Sequence, residues 1–178
     1  MKAMSGGTPN TDKADYYNGN IPFLSIADMT KQQKYIENTT KQISNLGLKN
    51  SSCWLVPANS LLLSIYASLG KTAINKANIA TSQAILGIIL KDLTEIQFYY
   101  YLLTKMENKK YWYKYISLGT QPNLSLSTVE ESLIFNTELE EKIKIGNVFE
   151  SLDTLITLHQ HKSKNLKTLK SNLIKIFI

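Results

Sequence analysis

Arginine is missing from this chain: all twenty basic residues are lysine. Guanine edges are commonly read by a bidentate guanidinium fork. That contact is therefore excluded, and any base reading must fall to Lys, Asn, Gln, Ser, Thr or backbone groups. Cysteine is nearly missing too. Cys53 stands alone, which excludes an intrachain disulfide and fits a reducing cytoplasm. The N-terminus lacks the apolar core of a signal peptide. The most apolar run, Ile79 to Leu90, is too short to span a bilayer and contains Thr81, Ser82 and Gln83, so no membrane partner is expected. From Thr137 onward proline is absent and Gly146 is the single glycine, so little there interrupts a helix.

Signatures of catalysis are equally scarce. Gly70-Lys71-Thr72 resembles the end of a phosphate-binding loop, but Ile65 occupies the position where the motif needs glycine. Neither G-x-G-x-x-G nor G-x-S-x-G occurs. His159 and His161 are two apart on a predicted helix and point to different faces, whereas a helical zinc pair is spaced by three or four. Glu140-x-Lys142 lacks an upstream acidic partner and reads as ordinary helix charge. Cys53, beside Trp54 and Leu55, reads as a buried structural thiol rather than a nucleophile. The expectation is a non-enzymatic chain with no metal and no cofactor of its own.

What is present suits one domain with an appendage: 178 residues, 43% of them hydrophobic, enough for a packed core. The net charge of +6 suits a polyanionic partner, because lysines that neutralise phosphates release counterions. A lysine-rich solvated surface would look the same. Residues 1–20 read as a loop, and Ile21 to Ala27 as a short strand behind Pro22. Residues 28–50 read as irregular with one helical turn. Strands are expected at Cys53–Val56, Ser60–Tyr66, Lys71–Asn75 and Gln83–Leu90. A helix is expected over Thr94–Glu107, with Thr94 as N-cap and Phe98, Tyr101, Leu102 and Lys105 on one face. Short strands at close spacing predict an α+β fold: a compact barrel-like sheet with helices, followed by one long C-terminal coiled-coil helix. The expected division is residues 1–136 and 137–178.

The C-terminal pattern is heptad. Leu152, His159, Leu166 and Leu173 form one row; Val148, Leu155, Lys162, Leu169 and Ile176 form the second. Roughly 40 helical residues span about 60 Å, more than a domain this small can cover. The seam therefore calls for another helix, from a second copy or another protein, with His159 and Lys162 as interruptions that set register or orientation; the alternative is a terminal helix folded back on its own domain. Aromatic rings mix with lysines at Tyr99-Tyr100-Tyr101 and Tyr111-Trp112-Tyr113-Lys114-Tyr115. Such mixtures stack on bases or pack a core with the hydroxyl reaching water.

Several blocks in order resemble a type I restriction-modification specificity subunit. They are Ser5-Gly6-Gly7-Thr8-Pro9, Tyr16 to Phe23, Gly47 to Ser52 with Leu55-Val56-Pro57, Leu61 to Ser64 with Gly70 to Ile74, Ala80 to Ile85, Gln121 to Ser125, and Glu140 to Ile143 with Ile145-Gly146 and Leu152-Asp153. The resemblance implies sequence-specific recognition of double-stranded DNA by a target-recognition domain joined to a conserved spacer helix. It further implies methyltransferase subunits carrying S-adenosylmethionine as partners, a translocating nuclease subunit as a further partner, and a bipartite target. Full subunits of this family carry two domains and two antiparallel helices. One domain and one helix is half of that, lacking the segment that normally precedes the Ser-Gly-Gly-Thr-Pro block and the proline-rich approach to the helix. A homodimer through the C-terminal helices is expected, reading an interrupted palindrome. The seam residues are Val148, Leu152, Leu155, His159, Lys162, Leu166, Leu169, Leu173 and Ile176. The expected DNA contacts are Lys49, Tyr66, Lys71, Thr81, Gln83, Lys114, Gln121 and Asn123. Alternatives are a coiled-coil adaptor that shares the fold, or a silent cassette active only within a full subunit.

Overall fold

The computed structural model describes residues 1–116, 123–133 and 137–177. Nine strands are present among them: β1 (Lys2–Ser5), β2 (Tyr17–Leu24), β3 (Tyr35–Ile36), β4 (Lys41–Ile43), β5 (Leu55–Val56), β6 (Leu61–Ser64), β7 (Thr72–Asn75), β8 (Ile79–Thr81) and β9 (Ile85–Ile89). Five α-helices accompany them: α1 (Ile26–Lys31), α2 (Asn45–Lys49), α3 (Ile96–Asn108), α4 (Leu126–Ser132) and α5 (Leu139–Phe177).

The strands form two sheets, one ordered β1-β9-β6-β7-β3 and the other β4-β2-β8-β5. The expected barrel-like sheet is therefore corrected: the fold is α+β with a long C-terminal helix, and among the described residues no ladder closes either sheet on itself. The physical reason lies in the connections. β8 pairs with β2 and β5 in the second sheet, while β7 before it and β9 after it belong to the first. Consecutive strands thus change sheet, and short spacing alone does not report that.

Burial explains the layering. Leu61 and Leu63 belong to one apolar cluster and Leu62 to another, because successive side chains on a strand face opposite ways. Both faces of β6 are covered, and a continuous apolar run is what such a strand needs. Between the sheets lie Leu24, Val56, Ile79, Leu62, Ala73 and Ile85, with Met29 and Ile36. The outer face of the five-stranded sheet packs on Phe98, Tyr99 and Leu103 of α3, with Trp112, Leu124 and Val129. The smaller sheet covers its outer side with Phe23, Ile43 and Ala80 under Leu48 of α2.

Several local expectations need adjustment. Residues 1–20 contain β1 and the start of β2 as well as loop, and 28–50 hold two strands, the end of α1 and the whole of α2. Ser25 caps α1 by accepting from the Asp28 amide at 3.2 Å, and Ser44 caps α2 through the Gly47 amide at 3.1 Å. Thr94 is not the N-cap of α3. Asp92 caps a 3-10 turn over residues 93–95, accepting from the Thr94 amide at 2.9 Å, and α3 starts at Ile96. Residues 111–115, ambiguous in sequence, form another 3-10 turn. Asn136, at the expected domain boundary, lies outside the described residues.

α5 runs 39 residues, and its first half is fastened to α3. At Gly146 the two helices approach so closely that a Cβ would sit 2.9 Å from the backbone nitrogen of Phe98. That approach explains a glycine inside a helix, where it otherwise costs stability. Beside it, Lys34 donates to Tyr101 Oη at 2.7 Å and pairs with Glu150, with Asp153 at 3.5 Å. Tyr35 donates to Glu150 at 2.9 Å and Tyr101 to Asp153 at 2.6 Å. Lys142 bridges to Glu95 at 3.1 Å one turn earlier. Burial alone would raise the Glu150 carboxyl, but hydrogen bonds from Lys34 and Tyr35 outweigh it and hold the group below its ordinary value.

Two outcomes follow. Gly146→Leu drives a side chain into α3 and is expected to cost about 1–3 kcal/mol, read as a lower denaturant midpoint; an unchanged midpoint refutes the close approach. A carboxylate with a depressed folded pKa stabilises above its unfolded value, and that contribution is lost as pH falls through the folded one. Glu150→Gln should therefore lower the melting temperature at pH 7, with the gap to wild type narrowing toward pH 4. A gap constant with pH contradicts the assignment.

Candidate nucleic-acid interface

Strand directions bring several loops to one end of the sheets. Ser64 pairs with Ile85, so the turn after β6 and the corner before β9 lie side by side. Ser5 pairs with Leu86, which places the loop after β1 at the same end. The Ile65 amide donates to Ala84 O at 2.9 Å, and Leu124 N donates back to Ile65 O at 3.1 Å. Tyr66 and Asn123 face each other across an isolated bridge. Thr8 donates to Gln83 Oε1, joining the first loop to the corner. Cys53 Sγ lies 2.8 Å from Gly7 O, which brings in the segment following α2 and Lys49.

Gly70 organises the lysines of this end. Its φ is +87°, a left-handed conformation that favours glycine, and a Cβ would meet the Trp112 ring at 2.5 Å. Trp112 is wholly buried there, so the 3-10 turn of residues 111–115 is held beside the β6–β7 turn. Lys114 then stands 3.8 Å from the Tyr111 ring centroid and 4.8 Å from that of Tyr115. A hydrogen bond with Tyr115 raises the Lys114 ammonium, keeping it charged. Burial raises the Glu107 carboxyl, and the charge of nearby Lys71 opposes that rise.

The structure thus brings together Tyr66, Lys71, Gln83, Lys114 and Asn123, with Lys49 flanking and exposed. Thr81 differs: it is wholly buried, and its hydroxyl donates to Ile85 O at 3.4 Å. Gln121 lies outside the described residues. The Tyr99–Tyr101 triplet serves helix docking, since Tyr99 is buried, Tyr100 half-buried, and Tyr101 bonded to Asp153. Tyr113 and Tyr115 remain exposed. Burial pushes the Cys53 thiol up, which disfavours a nucleophilic thiolate. Among the described residues no group of three metal-ligating side chains converges, and no helix is long and apolar enough to cross a membrane.

Sequence reasoning missed the cluster of Lys34, Tyr35, Tyr101, Glu150 and Asp153. Its members lie far apart in the chain, and Gly146 was the one local signal of a close contact. It also missed a polar groove of about 660 Å³ lined by Asn18, Thr39, Thr40, Lys41 and Gln42. The amide-rich composition of residues 28–50 was the available hint.

The expected seam lies on the side of α5 turned away from α3. Val148, Leu152, Leu155, Leu166, Leu169, Leu173 and Ile176 are each between 46% and 73% exposed. Lys142, Gly146, Glu150 and Asp153 occupy the docked side instead. The helix is thus docked along one side over residues 142–153 and exposed on every side from residue 154 to 176.

Known proteins resemble this chain in sequence and in fold. Residues 1–168 match the family model described as the type I restriction modification DNA specificity domain. The chain is 32% identical over 178 residues to the type I restriction enzyme MjaIX specificity subunit of Methanocaldococcus jannaschii, covering 99% of this chain and 40% of that protein. It is 31% identical over 148 residues to the HindI specificity subunit of Haemophilus influenzae, covering 79% and 32%. Its fold is similar to the HsdS subunit of Thermoanaerobacter tengcongensis, with a TM-score of 0.62, 14% identity, and coverage of 90% and 37%. It is also similar to a chain from a structure addressing complex assembly and conformational transition of the type I R-M system, with a TM-score of 0.65, 16% identity, and coverage of 97% and 40%. The chain spans about two-fifths of the length of the first of these relatives. The match along nearly its whole length places this chain in the type I restriction-modification DNA specificity domain family.

Proposed function

We propose that this chain is a DNA-reading half of a type I specificity subunit, a non-catalytic part that directs methyltransferase and nuclease subunits to a bipartite target in the cytoplasm. Residues 1–136 form the target-recognition domain and residues 137–178 the spacer. S-adenosylmethionine belongs to the methyltransferase partner. The observation that carries the reading is the open apolar stripe on a helix whose base is fixed to a domain with a lysine-bearing loop end. Covering each half-exposed aliphatic side chain of the stripe contributes on the order of 1 kcal/mol, so a second helix has much to gain there.

Two copies pair through α5, and charge favours the antiparallel arrangement. Residues 139–157 carry Glu140, Glu141, Glu150 and Asp153 against Lys142 and Lys144, whereas residues 158–177 carry five lysines and no acid. Parallel pairing stacks the five lysines on their counterparts, while antiparallel pairing sets them against the acidic half. Each copy then reads the same half-site, and the target is an interrupted palindrome. At the loop end, Lys49, Lys71 and Lys114 supply sequence-independent attraction. Tyr66, Gln83 and Asn123 lie where base edges can be read.

Binding to duplex DNA should weaken steeply with salt. Lys71→Ala and Lys114→Ala should each reduce the slope of log affinity against log salt by about 1. Salt-independent binding, or none, would leave a coiled-coil adaptor. Substituting Leu166 and Leu169 by aspartate should turn a dimer into a monomer in sedimentation equilibrium, and an unchanged mass would remove the stripe from the interface. Mapping methylated sites in cells that express the chain with its methyltransferase separates the homodimer, which yields a split palindrome, from a silent cassette, which yields none.

A further inference from the structure

The proposed dimer has a choice of registers, and the two polar residues in its seam discriminate between them. Heptad geometry makes Leu152, His159, Leu166 and Leu173 one class of seam position, and Val148, Leu155, Lys162, Leu169 and Ile176 the other. All the aliphatic members are open to solvent, and His159 and Lys162 are exposed between them. In an antiparallel pair each position of one class meets a position of the other class on the opposite helix.

One register satisfies every position. Leu152 meets Leu169, Leu155 meets Leu166, and Val148 meets Leu173, each pair formed twice by symmetry. The two central layers then each combine His159 of one copy with Lys162 of the other. Ile176 reaches Ile145, beside the apolar groove lined by Phe98, Leu102 and Phe149. A shift of one heptad in one direction sets Leu152 against Lys162 and Leu173 against Glu141. The opposite shift sets Leu169 against His159 and Leu166 against Lys162. The first shift also sets Leu155 against His159, so by symmetry it leaves a charged or polar group opposite leucine in six layers and the second shift in four, at a cost that aliphatic layers do not offset.

We infer that two copies of this chain lock their helices antiparallel with His159 of each against Lys162 of the other, and that this central contact opens the dimer in mild acid. The inference rests on the homodimer reading above. Imidazole ordinarily changes charge between pH 5 and 8. Neutral His159 is compatible with a neighbouring ammonium. Protonated, it faces Lys162 of the opposite copy, Lys162 of its own helix one turn on, and the symmetry-related His159. No acid lies between Asp153 and the end of α5 to offset them, and Asp153 is engaged by Tyr101 and Lys34. His161 points to a different face. The dimer therefore binds fewer protons at this site than two monomers do, so lowering the pH favours dissociation.

Sedimentation equilibrium of the full chain at pH 8.0 and pH 5.5 tests this. The dissociation constant should rise at least tenfold at the lower pH. His159→Leu should tighten the dimer and abolish most of that rise, while His161→Leu should keep it. Register is read separately in a Cys53→Ser background. Leu155→Cys mixed with Leu166→Cys should form a cross-linked pair under oxidation, and Leu155→Cys mixed with His159→Cys should not. A dimer whose affinity is the same at both pH values, or is altered equally by both histidine changes, overturns the inference and spares the dimer. A monomer at every pH and concentration overturns the dimer itself.

Discussion

Much of this molecule depends on how near α5 comes to α3. The absent side chain at Gly146 lets the helices touch at backbone distance, and a helix held that close has little freedom to roll. Rotation about the α5 axis is then set by the Lys34, Tyr101, Glu150 and Asp153 cluster and by the Lys142–Glu95 bridge nearer the start of the helix. Fixing rotation decides which stripe faces outward. Polar contacts are well suited to that task, because they are directional where apolar packing is not. The energy of docking comes from apolar contacts at Ile145, Phe98 and Phe149, and its angle from the charged groups.

The same division of labour recurs at the loop end. Two sheets with three covered layers make a rigid platform, and the loops that project from it carry the polar side chains. Gly70 and Trp112 tie the lysine-bearing turn to the core. With no arginine in the chain, the proposed attraction to phosphates rests on flexible point charges rather than planar forks. Such charges draw a duplex in without discriminating sequence. In the proposed reading, discrimination then falls to short amide and hydroxyl side chains such as Gln83 and Asn123, whose positions are set by the bridges at Ile65 and Tyr66.

What the sequence made legible follows from which interactions are local. The heptad of α5 is a local pattern, and the stripe it describes is open in the structure. Most strands were recognisable from β-branched and leucine runs. Their assignment to two sheets was not, because pairing joins β2 to β8 and β1 to β9 across most of the domain. The unbroken Leu61-Leu62-Leu63 run, covered on both faces in the structure, is a signal against a small barrel with one wet outer face that the spacing of short strands overrode. Thr81 looked like a surface hydroxyl in sequence and is buried between the first loop and β9. The Lys34 cluster draws on residues as far as 119 positions apart, beyond any spacing rule.

Fixing the register matters because the helix converts residue number into distance. In the proposed pair the base of each domain lies near residue 148, which stands opposite residue 173 of the other copy. Some 25 residues at 1.5 Å each separate the two bases by about 37 Å along the pair. That is close to the pitch of one turn of B-DNA, about 34–36 Å, so two identical loop ends would meet the same side of a straight duplex. A slip of one heptad changes the separation by about 10 Å, roughly three base pairs, and rotates one reader out of phase with its groove. Seven aliphatic side chains could supply the affinity in several registers of similar packing. In the proposed pair, a histidine and a lysine at the centre lower that affinity, and in exchange they restrict the readers to a single spacing.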